Sequence, residues 1–481
     1  MVTREAAPGL QKVSVLTLTG LVVGSMVGGG VFTLPQEFGT AAGVIAAVIA
    51  WTIAGTGMMM LAFVFQSLAV RRPDLDTGMY SYAEAGFGSY LGFNAAFGYW
   101  ASNVAGNVFF MVLTMATLGE FFPSLGDGTT VLAVAVASVV VWVFHALIAQ
   151  GVRQAAVINR VVTAAKLVPI LTFVVVVALA FDPTVFADNL WGGRTHTAGA
   201  VFEQVKSTML VTTFVFLGVE GASVYSRLAR RRGDVGRATV TGLLSVLGIF
   251  VAVTMVSYGV LPRGELADAR QPSMGAVLES VVGGWGATFV SVGVVVSVQG
   301  AFLAWTLISA EILYTPARDQ VMPRFLARTN EHATPILALL VTNLAVQALL
   351  LVSLVIENAL SFMLKLDTAL VLIPYLLAAA YALKLTVTRE TYGAQDEPVR
   401  RRQQRIAVLA VLYALFLLYA AGVEYLLMAC IVYAPGVVLY VVARREQHQR
   451  LFTRAEALCC AVLVAAAGVG VVLVATGELR L

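Results

Sequence analysis

Four glycines fall within nine residues at GSMVGGGVF, 24–32, inside the first long apolar run of the chain. Each glycine costs a helix about 1 kcal/mol relative to alanine. Lipid makes unpaired backbone groups costlier still. Gly24 and Gly28 alone would form a small-xxx-small pattern, which lets two helices pack closely. Gly28, Gly29 and Gly30 are consecutive, however, so they cannot share one face, and Pro35 and Gln36 follow soon after. The pattern reads as an interrupted helix. Such a break frees N–H groups at the start of its second half, which suit a carboxylate. It frees C=O groups at the end of its first half, which suit an ammonium. An amino acid zwitterion carries one group for each end, and glycine keeps side chains out of the way.

A second interruption occurs at TTFVFLGVEGASVYS, 212–226, where Gly218 and Gly221 bracket Glu220. An ionisable group at mid-membrane costs about 2.5–3.5 kcal/mol on insertion scales and usually faces a cavity or a partner. Lys166, Glu311, Lys365 and Asp367 are further charged residues inside apolar runs. Lys365 and Asp367 are two apart and so point to different faces of a helix. Other chemistry finds no footing. Cys430, Cys459 and Cys460 give neither a disulfide framework nor zinc spacing, and His145, His196, His332 and His448 are scattered. No metal and no cofactor is expected. Without a nucleophile–base pair or a phosphate loop, an enzyme is not the expected reading.

The elements that position these residues are membrane spans. The 481 residues are 59% hydrophobic and 12% charged, against about 25% charged in soluble domains. Mean hydropathy is +0.86. Spans are expected at 13–35, 42–69, 90–119, 129–150, 157–181, 202–226, 238–261, 286–314, 335–356, 359–384, 405–422, 424–443 and 456–476. The last is the weakest of these, so the expected fold is an all-α polytopic membrane protein with 12–13 transmembrane helices. Residues 1–12 read as a polar N-terminal tail rather than a cleavable signal.

Placing that tail in the cytoplasm sorts the 31 Lys and Arg residues. Arg194, Arg263, Arg270 and Arg480 fall on the far side, and Lys166, Lys206 and Lys365 within spans. All others gather on the cytoplasmic side, including RRPD (71–74), RLARRRGDVGR (227–237) and RRRQQR (400–405). That asymmetry is the positive-inside signal, and it accounts for the basic runs without nucleic acid. Paired interruptions in the first and sixth spans suggest two five-span halves, a sequence pointer to a transporter binding site.

Five stretches carry a family resemblance: LVVGSMVGGGVFTLPQ (21–36), FLGVEGASVYSRLARRRGDVGRATVTGLL (216–244), QPSMGAVLESVVGGWGA (271–287), AWTLISAEILYTPARDQVMPRFLARTNEHATP (304–335) and LIPYLLAAAYALKL (372–385). They resemble the amino acid–polyamine–organocation superfamily, nearest its basic amino acid antiporters and the arginine/ornithine exchangers above all. The resemblance implies a LeuT-like core of 5+5 inverted repeats with the first and sixth spans unwound. On that reading the core covers 13–384, as repeats of about 13–181 and 202–384, and 385–481 adds further C-terminal spans.

It also implies roles. The glycine-rich turn, with Ser25, Met26, Gly28, Gly29 and Gly30, would hold the substrate carboxylate. Phe214 falls where the arginine/agmatine branch stacks a tryptophan on the guanidinium, so that cation–π contact would be weaker. Asn107, Leu217 and Trp305 complete the expected substrate-binding set. Glu220 falls on the glutamate tied to gating and proton sensing. Lys166 falls where sodium-coupled relatives hold sodium, although a snorkelling side chain is an equal reading, as helix–helix contact is for Asn107. Glu311, six residues or about 9 Å beyond Trp305, is an extra carboxylate beside a cationic substrate's path. The implied function is exchange of cationic amino acids, arginine for ornithine, with lysine or a related amine as further substrates. A proton-coupled amino acid symporter is the alternative. The expected setting is the bacterial cytoplasmic (inner) membrane, and a homodimer is compatible with it.

Overall fold

A computed structural model describes residues 14–75, 78–151, 155–193, 195–220 and 232–479. Among them every regular element is a helix. The first expected span divides into α1 (Val15–Met26), a short 3₁₀ turn at Gly29–Thr33 and α2 (Leu34–Ala41). The two helices are bent by 51°. Pro35 lies in the first turn of α2, where its missing N–H has no helical partner to lose. Then follow α3 (Val44–Arg71), α4 (Met79–Phe87), α5 (Ser89–Gly119), α6 (Val131–Ala149), α7 (Ala155–Leu179) and α8 (Ala198–Phe214). The remaining helices of eight residues or more are α9 (Arg232–Tyr258), α10 (Ser273–Val282), α11 (Gly284–Arg318), α12 (Ile336–Val352), α13 (Ala359–Thr388), α14 (Glu397–Tyr433), α15 (Gly436–Glu446) and α16 (Arg454–Ala475), and two short helices lie at Pro183–Asp188 and Arg263–Ala267.

Nine helices among the described residues are long and apolar enough to cross a membrane, or ten with the bent pair counted as one span. The expected spans at 157–181 and 202–226 meet α7, whose described apolar part is Ala165–Leu179, and α8, which stops at Phe214. The two spans expected at 405–422 and 424–443 fall inside one continuous stretch, Ala394–Glu446, of 53 residues. A straight helix of that length would run about 80 Å, far beyond a hydrocarbon core of about 30 Å. Gly422 resolves this: its φ of 72° and ψ of 168° break the helix where the sequence pattern puts the boundary.

The centre of the bundle is α5, buried along nearly its whole length. Its stretch GFNAAFGYWASNVAGN alternates small residues with aromatic and polar ones. Small residues admit close neighbours, and α11 and α13 pack on it. By contrast α16 is mostly exposed and rich in Ala, Val and Leu, as suits a lipid-facing helix. The ends of the bundle differ in charge. Arg71, Arg318 and the arginines at the start of α14 mark a basic end.

Candidate functional site

The broken end of α1 meets the end of α8. Beyond Phe214 the chain continues in tight turns, with Leu217 N donating to Phe214 O at 3.0 Å and Val219 N to Phe216 O at 3.2 Å. Gly218 has φ of +100°, a conformation L side chains rarely adopt. A Cβ there would stand 2.6 Å from Ser25 O, so backbone meets backbone at this point. Ser25 Oγ donates to Val22 O at 2.9 Å and to Gly218 O at 3.3 Å. Gly221, the second expected glycine of this break, lies outside the described residues.

Where the two breaks meet there is a cavity of about 40 Å³. Ser25, Met26, Gly28, Gly29, Gly30, Phe214, Leu217 and Trp305 all line it, which brings together most of the set expected from sequence. Gly30 is placed under the ring of Phe214: a Cβ at Gly30 would lie 2.7 Å from Phe214 Cε1. Phe214 in turn packs edge-on against Phe109, with ring centroids 4.9 Å apart. A volume of about 40 Å³ has room for little more than a water molecule.

Asn107 is fully buried but does not line this cavity; Asn103, one turn earlier on α5, does. Neither Asn103 Nδ2 nor either side-chain polar atom of Asn107 has a hydrogen-bond partner. Asp367 also lines the cavity and is 4% exposed. Its carboxylate accepts a hydrogen bond from Ser102 Oγ. The sequence marked Asp367 as out of place without saying what it faces. Glu37 of α2 is a second buried carboxyl group, and it accepts from Ser361 Oγ at 3.1 Å.

Glu220 is held beside the cavity rather than in its lining. It accepts from Tyr99 OH at 2.6 Å, Tyr375 OH at 2.7 Å and Gly218 N at 3.2 Å. Three elements are thereby tied to one carboxylate. Lys166 lies behind the break. Its Nζ donates to Gly24 O at 3.0 Å and Val27 O at 2.9 Å, the carbonyls where α1 ends. A buried ammonium thus supplies donors to carbonyls beside the broken turn, so Lys166 does not snorkel to an interface.

Glu311 lies in a second cavity of about 400 Å³, with Tyr80, Tyr99, Leu307, Ile308 and Thr334 among its lining. This cavity belongs to the basic end. Tyr99 is shared between its wall and the Glu220 network, and Leu307 and Ile308 follow Trp305 within one turn of α11. At the opposite end polar contacts join several elements. Gln36 N donates to Ser273 Oγ at 3.2 Å, Gly43 N to Gln204 Oε1 at 2.8 Å and Arg263 Nη2 to Thr40 O at 2.8 Å. Among the described residues, no three His, Cys, Asp or Glu side chains are grouped so as to hold a metal.

Comparison with known proteins adds to this geometry. A family model described as "Amino acid permease" matches residues 13–473. A protein of Pseudomonas aeruginosa named arginine/ornithine antiporter is 47% identical, over 94% of this chain and 95% of its own. The L-lysine transport protein of Corynebacterium glutamicum is 38% identical over 100% of this chain and 98% of its own. An arginine/ornithine antiporter of Latilactobacillus sakei is 36% identical, over 98% of both chains.

Proposed function

The chain belongs to the amino acid permease family, and on that premise we propose that it exchanges cationic amino acids across the membrane, arginine for ornithine above all, by alternating access. The observation that carries this reading is the single cavity shared by the end of α1 and the end of α8, walled by Phe214 and Trp305. The backbone of residues 25–30 would hold the substrate's carboxylate and ammonium. Phe214 and Trp305 would cover its side chain. The names of the similar proteins from Pseudomonas, Latilactobacillus and Corynebacterium favour arginine, ornithine and lysine as cargo.

In this reading, 13–181 and 202–384 are inverted halves whose paired breaks form the site, and 385–481 flanks them. The basic end faces the cytoplasm, in keeping with the arginine-rich segments gathered there. The large cavity at Glu311 is then the cytoplasmic approach, and the Arg263 and Ser273 contacts close the outer side. Glu220 links Tyr99, Tyr375 and the turn at Gly218, so making and breaking these bonds would bear on how the halves move. Two substrates of equal charge make the exchange electroneutral.

Labelled arginine uptake into proteoliposomes loaded with ornithine, with arginine or with buffer alone, at equal pH on both sides, tests this. Uptake confined to the loaded vesicles is expected. Uptake into empty vesicles that grows with an imposed pH gradient would replace exchange by proton symport through Glu220 or Lys166.

A further inference from the structure

We propose that Asp367 is the counter-charge for the cationic side chain of the substrate, and so the residue by which this site prefers charged to neutral amino acids. The inference rests on the cationic exchange reading above and deepens it. Its ground is placement. The cavity has a backbone end, Gly28 to Gly30, suited to the α-carboxylate that every amino acid carries. Asp367 lines the same cavity from α13. A carboxylate at 4% exposure needs hydrogen bonds or an opposite charge. The Ser102 hydroxyl supplies one bond. No lysine or arginine among the described residues forms an ion pair with Asp367. Asp367 is therefore a buried carboxyl group without a fixed counter-ion among the described residues, placed where a substrate cation can supply one.

The surroundings fit. A Cβ on Gly106 would lie 2.5 Å from Asp367 Oδ2, so the glycine leaves the carboxylate room against α5. A guanidinium or ammonium reaching this wall meets the Asp367 carboxyl group. A neutral side chain would leave the anion unpaired on closure, which is the larger cost. The apolar part of the lining, Phe110, Phe214 and Trp305, suits the methylene stem shared by arginine, lysine and ornithine.

The test compares arginine with citrulline, its uncharged near-isostere, in equilibrium binding to the purified full chain. The parent should bind arginine and reject citrulline. Asp367→Asn should weaken arginine by about 100-fold, in line with removing one partner of a desolvated charge pair. The same variant should bind citrulline more tightly than the parent does, which also shows that it is folded. Asp367→Glu should retain the preference for arginine. An Asp367→Asn protein with unchanged arginine affinity overturns the assignment. So does one that binds neither ligand, because the carboxylate would then serve the α-ammonium or the fold. A parent that binds no cationic amino acid would instead reject the exchange reading on which the inference rests.

Discussion

Replacing Lys166 by methionine isolates what holds the break in α1 open. Methionine keeps an unbranched apolar stem and removes the ammonium. In the structure that ammonium reaches Gly24 O at 3.0 Å and Val27 O at 2.9 Å, and the residue is 6% exposed. Both carbonyls would lose this donor in a place water does not easily enter. An unsatisfied buried polar group costs about 1–3 kcal/mol, so two of them cost about 2–6 kcal/mol. Because 1.4 kcal/mol is a factor of ten, even the lower figure is about 30-fold in the population of the broken-helix state. The expected result is exchange slowed by at least tenfold for arginine, ornithine and lysine alike, measured as initial rates in proteoliposomes of matched protein content. Lys166→Arg, which restores a cation, should recover part of the rate. A methionine variant that exchanges within twofold of the parent and melts at the same temperature in detergent would refute this account of the lysine.

Three further substitutions probe the junction. Gly30→Ala places a Cβ 2.7 Å from the Phe214 ring, so arginine affinity should fall about tenfold as the ring is displaced; unchanged binding would mean the glycine serves packing alone. Gly218→Ala adds a side chain at φ +100° and 2.6 Å from Ser25 O, strain worth at least about 1–2 kcal/mol, and should lower the melting temperature even with substrate present. A parent-like melt would show that the two breaks are not pressed together there. Glu220→Gln keeps one acceptor oxygen for two tyrosine hydroxyls. Exchange should slow by roughly tenfold, whereas exchange within twofold of the parent would show that the Tyr99 and Tyr375 bonds to this carboxylate do not govern the transport cycle.

Much of this site is legible in the residues because backbone chemistry has a strong sequence signature. Three consecutive glycines followed by proline cannot extend one helix cheaply, and α1 does end at Met26. Gly422 marks a span boundary for the same reason. What the sequence withholds is which side chains meet across elements. Asp367 reads only as a misplaced charge until α13 is set against α5. Tyr99 and Tyr375 are ordinary aromatic residues in apolar runs until both hydroxyls reach Glu220. Asn103 and Asn107 are four apart, so they share a helix face, and one turn of depth decides that Asn103 lines the cavity. Glu37 drew no notice at all, since a glutamate just after a proline resembles an ordinary first-turn residue.

The most direct measurement of the central claim is an electron cryomicroscopy structure of the chain with arginine bound. The account expects ligand density between the two breaks, the carboxylate on the backbone of Gly28 to Gly30, the stem against Phe214 and Trp305, and the guanidinium toward Asp367. Arginine held only in the larger cavity beside Glu311, with the broken turn of α1 unoccupied, would contradict it.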